Sequence, residues 1–100
     1  MASDRISFHP AAATEVEAAL VWYEARSRTV AEQFLLELDR ALALILESPR
    51  SWEEVIGSCR RYPLRRFPFL IYFRESDFGI EIVAVAHGRR RPGYWQDRTR

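Results

Sequence analysis

No lysine occurs in this chain, and its fifteen permanently cationic side chains are all arginine. Codon bias in a GC-rich genome accounts for the missing lysine but not for where the arginines fall. Positions 1–59 set five arginines against ten acids, a net of −5, and positions 60–100 set ten against four, a net of +6. Arginine is favoured where a planar fork must hold phosphate or carboxylate, and its crowding gives the second half a field that attracts anions. Cysteine is almost as scarce. Cys59 alone builds no disulfide framework, which fits a reducing cytoplasm. The only histidines, His9 and His87, form no ligand-spaced cluster with it, so neither a metal nor a cofactor is expected. No run of about 18 apolar residues is present to span a membrane. The first ten residues carry Asp4 and lack the apolar stretch of a signal peptide. Repeats and low-complexity segments are absent too. What the chain does have is 48% hydrophobic and 13% aromatic residues, enough for a packed core and too much for disorder. One hundred residues suit one domain with a modest core.

The hydrophobic period changes along the chain. Arg5-Ile6-Ser7-Phe8 alternates as a short strand, and His9-Pro10 breaks it. Pro10 suits a first helical turn. From there Val16, Leu20 and Tyr23 give a helical stripe to about Arg26, with Trp22 off the stripe and expected at the surface. Thr29 and Glu32 match a capping box. Val30, Phe34, Leu38, Leu42 and Ile45, widened by Leu35, Ala41 and Leu46, predict a second helix ending at Ser48 before Pro49. So short a connection makes the two helices an antiparallel hairpin. Arg50–Ser58 is expected as a loop. Beyond it Tyr62, Leu64 and Arg66 alternate with Arg61, Pro63 and Arg65, with Pro63 indicating an edge or a bulge. Phe69–Phe73 is dense enough for a central strand. In the last strand Ile80, Ile82, Ala84 and Ala86 share one face, and Glu81, Val83, Val85 and His87 the other. Residues 96–100 are expected as a loose tail. The order β-α-α-β-β-β predicts an α+β fold, a helical hairpin on one face of a mainly antiparallel sheet.

Three stretches carry a resemblance over nearly the whole chain: "FHPAAATEVEAALVWYEARS", "AEQFLLELDRALALILESP" and "RRFPFLIYFRESDFGIEIVAVAHGRRRPGYW". The third is the specific one. An arginine-rich strand, then Phe-Pro-aromatic, an Ile-Tyr strand, and a strand ending in His followed by Arg-x-Pro-x-x-Trp resembles the ParE-like branch of the RelE/ParE superfamily of type II toxin–antitoxin toxins. The resemblance implies a plasmid-stabilisation-type toxin, neutralised by a cognate antitoxin whose flexible C-terminal segment wraps it. It implies one of two targets, DNA gyrase for ParE-like members or ribosome-bound mRNA for RelE-like endonucleases, and fold alone does not choose between them.

RNA cleavage needs a base, an acid and positive charge on the phosphorane. The residues available for those posts are His87, of a type that titrates near neutral pH, Arg65 or Arg66 for the phosphate, and Glu54 or its neighbour Glu53 as a carboxylate partner. Against this, Phe69 stands where RelE-like nucleases carry an arginine, and the lysines some of them use are missing. A histidine ending a strand also commonly does no more than hydrogen-bond nearby backbone. Binding is therefore the expected mode. Its candidate contacts with target or antitoxin are Arg61, Arg65, Arg89, Arg90, Arg91, Trp95 and Trp22, types that dominate interface hot spots. Nucleic-acid contact through the basic half, and a nucleic-acid-binding or inactive antitoxin-binding domain, remain the alternatives.

Overall fold

The computed structural model describes residues 5–99. The leader reading of Met1–Asp4 and the last tail residue, Arg100, lie outside them. Strand β1 (Ile6–Phe8) leads into helix α1 (Pro10–Glu24), which Pro10 opens and His9 caps by accepting the Ala11 amide at its Nδ1 (3.1 Å). Helix α2 (Arg28–Glu47) starts two residues earlier than the Thr29–Glu32 box implies. Its cap is Ser27, in extended backbone, whose hydroxyl accepts the Val30 amide. A 3-10 turn at Pro49–Ser51 follows, then β2 (Glu53–Ile56), β3 (Cys59–Pro63), β4 (Phe69–Ser76) and β5 (Gly79–His87).

The sheet order is β1-β5-β4-β3-β2, with β1 parallel to β5 and every other pair antiparallel. The expected α+β architecture stands, and β4 is the central strand. The expected loop at Arg50–Ser58 instead contains β2. It turns back through Gly57-Ser58, and Gly57 (φ +59°) takes the position of that two-residue turn that needs positive φ. Pro63 ends β3 beyond the reach of β2, so no neighbouring strand needs its missing N–H.

Both faces of the sheet are buried, by different parts of the chain. The helical hairpin covers one. There Phe34 and Leu38 of α2 meet Ile71 and Phe73 of β4, and Tyr23, Phe34, Phe67 and Phe69 form an aromatic cluster with centroids 5.1 to 6.4 Å apart. The C-terminal segment covers the other, with Trp95 on Tyr72, Cys59, Val83, Ala84 and Ala86. This changes the register expected for β5. Tyr72 pairs with Ala84 and Phe73 with Ile82, so Val83 is an extra, bulged residue. Alternation resets there. Ile80, Ile82 and Val85 face the helices, whereas Val83, Ala84 and Ala86 face Trp95. Residues 96–99, expected as loose, form a 3-10 turn.

Trp95 is the largest fully buried side chain, at 1% exposure, whereas Phe78 in the β4–β5 turn is 90% exposed. Trp95→Ala is expected to destabilise the protein by about 3–5 kcal/mol. Phe78→Ala should stay within about 0.5 kcal/mol of the parent. Urea unfolding followed by circular dichroism measures both, and equal midpoints for the two variants would contradict the second core.

Candidate functional site

β5 is longer than its parallel neighbour. β1 pairs only with Ile80, Glu81 and Ile82, and beyond them β5 has no strand on that side. An unpaired edge exposes backbone donors and acceptors. Here two side chains from distant parts of the chain take the place of a strand. Glu15 of α1 accepts the Val85 amide at Oε1 (2.9 Å), and Arg98 donates to the Val83 carbonyl (3.1 Å). The same two groups bind each other through paired bonds, Nη1 to Oε1 (3.0 Å) and Nη2 to Oε2 (2.9 Å). The Tyr94 hydroxyl adds a bond to Oε2 at 2.6 Å.

This network sets the electrostatics of its members. Burial alone pushes the Glu15 carboxyl up. The hydrogen bonds from Arg98, Tyr94 and Val85, with the Arg98 charge, outweigh it and hold the group below the ordinary carboxylate value. The Tyr94 hydroxyl is pushed well above its usual range by burial first and then by its bond to Glu15. Neither Glu15 nor Arg98 stood out in the sequence. The only signal was Tyr94 and Arg98 four residues apart, with the acid they share some eighty residues earlier.

A cleft of about 440 Å³ opens beside this clamp, between α1 and the ends of β4 and β5, and it gathers three of the expected residues: Trp22, His87 and Arg90. Trp22 is 53% exposed, as its position off the stripe predicts, and the Arg26 guanidinium lies 3.6 Å over its ring. His87 faces the cleft because the bulge at Val83 puts it on the helix side with Val85. Its Nδ1 accepts the Arg89 amide (3.1 Å) and its ring stands edge-on to Phe69 at 5.3 Å. In the neutral ring the proton therefore sits on Nε2. Arg89, Arg90 and Arg91 are all exposed, and Arg90 stacks on Tyr94 at 3.9 Å.

The other expected residues lie elsewhere. Arg65 and Arg66 follow β3 in a bend whose two amides are both accepted by Glu37 of α2. They line a separate groove between α2 and β3. Glu54 sits on the outer strand β2, across from Arg60. Among the described residues no hydrogen bond or ion pair joins any two of His87, Arg65, Arg66 and Glu54. Arg61 is taken up by its cross-strand partner Glu53. Trp95, expected at a contact surface, is in the core, so it offers no surface to a partner in this conformation. Burial pushes the Cys59 thiol up, which keeps it protonated and unreactive. Among the described residues no group of His, Cys, Asp or Glu is placed to hold a metal ion, and no helix is long and apolar enough to cross a membrane.

Glu15→Gln keeps the side chain's shape and removes its charge. It should cost about 1–3 kcal/mol at neutral pH. Because the native carboxyl is held below its unfolded value, the stability it contributes is present above about pH 4.3 and is lost as the pH falls through the lowered native value. The gap between parent and variant should therefore close in acid, in denaturant midpoints measured from pH 7 downward. A gap that does not change with pH would mean that the charge is not what holds the clamp.

The chain matches the family model described as "ParE toxin of type II toxin-antitoxin system, parDE" over residues 6–92. That span contains Glu15 and ends before Tyr94 and Arg98. No curated protein matches the chain. Among solved structures the fold is similar to a chain of the "Chromosomal ParDE TA system from P. aeruginosa", with a TM-score of 0.72 and 15% identity over 87% of this chain and 98% of that one. The helical hairpin, the mixed sheet and the family match agree, and the chain belongs to the ParE toxin family of type II toxin–antitoxin systems.

Proposed function

We propose that this toxin is neutralised by a cognate antitoxin and stops its target, DNA gyrase in the cytoplasm, by binding and not by catalysis. The observation that carries the choice of mode is the dispersal of the groups RNA cleavage would use. His87 lines the α1–β5 cleft with its Nδ1 engaged by backbone, Arg65 and Arg66 line another groove, and Glu54 stands on the outermost strand. General acid–base catalysis requires such groups within reach of one proton. A binding toxin requires a surface, and Arg90 and Trp22 in the cleft, with Arg89 and Arg91 exposed on either side of Arg90 in sequence, supply cationic and aromatic groups of the kind that dominate interfaces. ParE-like toxins as a group act on gyrase, and that resemblance supports the choice of target.

Induced expression without the antitoxin should arrest growth and accumulate gyrase trapped on cleaved DNA. Exchange of Arg89, Arg90 and Arg91 for alanine should relieve the arrest, and His87→Ala, which removes one uncharged wall of the cleft and the acceptor of the Arg89 amide, should weaken it much less. Rapid cleavage of ribosome-bound mRNA instead, falling by about 100-fold or more in His87→Ala, would replace this reading with an endonuclease.

A further inference from the structure

The cleft between α1 and the ends of β4 and β5 is walled by four ring systems that follow one another. Trp22 stands edge-on to Tyr23 at 5.2 Å, Tyr23 to Phe69 at 6.4 Å, and Phe69 to His87 at 5.3 Å. Aromatic rings favour edge-to-face and offset contacts with one another, so an arc of this kind accepts a further ring as its next member. Ala18 and Ala19 of α1 also line the cleft, and side chains that end at Cβ leave that part of it empty. The volume, about 440 Å³, lies within the range of about 300–1,000 Å³ that small-molecule sites occupy.

The polar groups left over in the cleft are donors. The Glu15 oxygens are filled by their four bonds. His87 accepts the Arg89 amide at Nδ1, so the donor of the neutral ring is Nε2, which meets no acceptor among the described residues. The Arg90 guanidinium lies on the Tyr94 ring, and among the described residues no carboxylate takes its N–H groups. A second cation, Arg26, is fixed 3.6 Å over the Trp22 ring by its bond to the Trp22 carbonyl (2.9 Å). Aromatic walls elsewhere cage quaternary ammonium groups. Here two guanidinium groups repel a cation, and the one carboxylate in the lining is already paired with Arg98. A nucleobase fits less well, because its ring donors need acceptors that the filled Glu15 does not offer. An extended peptide fits less well too, because Glu15 and Arg98 hold the Val85 amide and Val83 carbonyl that an added strand would use.

We propose that this cleft is a binding site for a free small aromatic carboxylate. Its ring lies in the arc from Trp22 to His87, and its carboxylate accepts from the Arg90 guanidinium and the His87 Nε2–H. A guanidinium holds a carboxylate through paired N–H bonds in one plane, and the stacking of Arg90 on Tyr94 at 3.9 Å fixes that plane in advance. The site stands whichever macromolecule the toxin binds.

The probe is 2-naphthoate, titrated into the full chain by calorimetry and in 1H–15N spectra. It should bind with a Kd of about 100 µM or tighter. The three indole resonances separate the surfaces. Trp22 should move, whereas Trp52, in the groove beside α2, and Trp95, in the core, should stay. 2-Naphthylmethanol keeps the rings and loses the charge, and phenyltrimethylammonium reverses it; each should bind at least about tenfold more weakly. Ala18→Phe, which fills the cleft from an exposed position on α1, and Arg90→Gln should each weaken 2-naphthoate by about tenfold or more. Circular dichroism checks that both variants are folded, and should Ala18→Phe fail to fold, Arg90→Gln and the indole shifts decide. No saturable binding below about 5 mM, parental affinity in folded Arg90→Gln, or a shift of Trp52 or Trp95 without Trp22 overturns the site. Equal binding of 2-naphthylmethanol, or tighter binding of phenyltrimethylammonium, overturns the preference for an anion and the inference with it. Adenosine monophosphate bound more tightly than 2-naphthoate assigns the cleft to a nucleotide and also overturns the inference.

Discussion

The Glu15 carboxylate holds together parts of the chain that nothing else joins so directly. Its two oxygens accept four bonds, from the Val85 amide, the Tyr94 hydroxyl and both terminal nitrogens of Arg98, which fills the capacity of a carboxylate. One end of the network is a helix, another a strand edge, and the third the segment that carries Trp95. A paired, hydrogen-bonded ion of this kind is costly to break from one side, because the remaining charge is left half-buried without its partner. The strand edge gains as well. Val83 and Val85 would otherwise present a bare carbonyl and amide beside the cleft, an invitation to edge-to-edge pairing. With those groups engaged by side chains, a ligand in the cleft is met by side chains and not by an added strand.

Closing the second face of the sheet depends on this clamp and on the bulge together. A helical hairpin covers one side of a sheet and leaves the other wet. In this chain the far side is apolar, and Tyr94, Arg98 and the Arg74–Thr99 contact (3.2 Å) hold a tryptophan over it. The bulge at Val83 lets β5 serve both cores. Before it, Ile80 and Ile82 point to the helices. After it, Val85 does, while Val83, Ala84 and Ala86 give the small flat bed on which Trp95 lies. The same shift turns His87 toward α1 and Phe69, so a packing device in mid-strand decides what the end of the strand meets.

The helices and the central strand were legible in the sequence because their burial is one-sided or continuous, and a period of 3.6 or an unbroken apolar run reports that directly. The phase of β5 was hidden for a physical reason. From Ile82 to Ala86 the strand is buried on both faces and holds no polar residue to mark its phase, so a bulge within that stretch leaves no trace in the alternation. β2 was hidden differently. Glu53 and Glu54 look like loop residues, and the better clue was Gly57-Ser58 after Val55-Ile56, a two-residue hairpin signal. The helix cap was misplaced because Ser27 and Thr29 are both capable caps, and only the backbone decides between them. Trp22 was placed correctly by helical rotation. Glu15 was invisible, since partners so far apart in sequence are brought together only by the finished fold.

The charge asymmetry of the sequence resolves once the arginines of the second half are matched to what they touch. Arg61 pairs with Glu53, Arg74 with Glu81, Arg98 with Glu15, and Arg60 with the Trp52 carbonyl. Two of those acids, Glu15 and Glu53, come from the acidic first half, so part of the imbalance is the fold's own need for ion pairs across distant segments. Among the described arginines of the second half, Arg65, Arg66, Arg89, Arg90 and Arg91 are the remainder, all exposed, with Arg90 held flat against Tyr94. A guanidinium already bound to a carboxylate within the molecule must give up that partner before meeting another, whereas an exposed one loses only water. The second group can therefore recognise an anionic partner at lower cost, and it falls on two separate surfaces, the bend after β3 and the end of β5. Sequence counting identified an excess of positive charge, and the ion pairs of the folded chain decide which part of that excess is available for recognition.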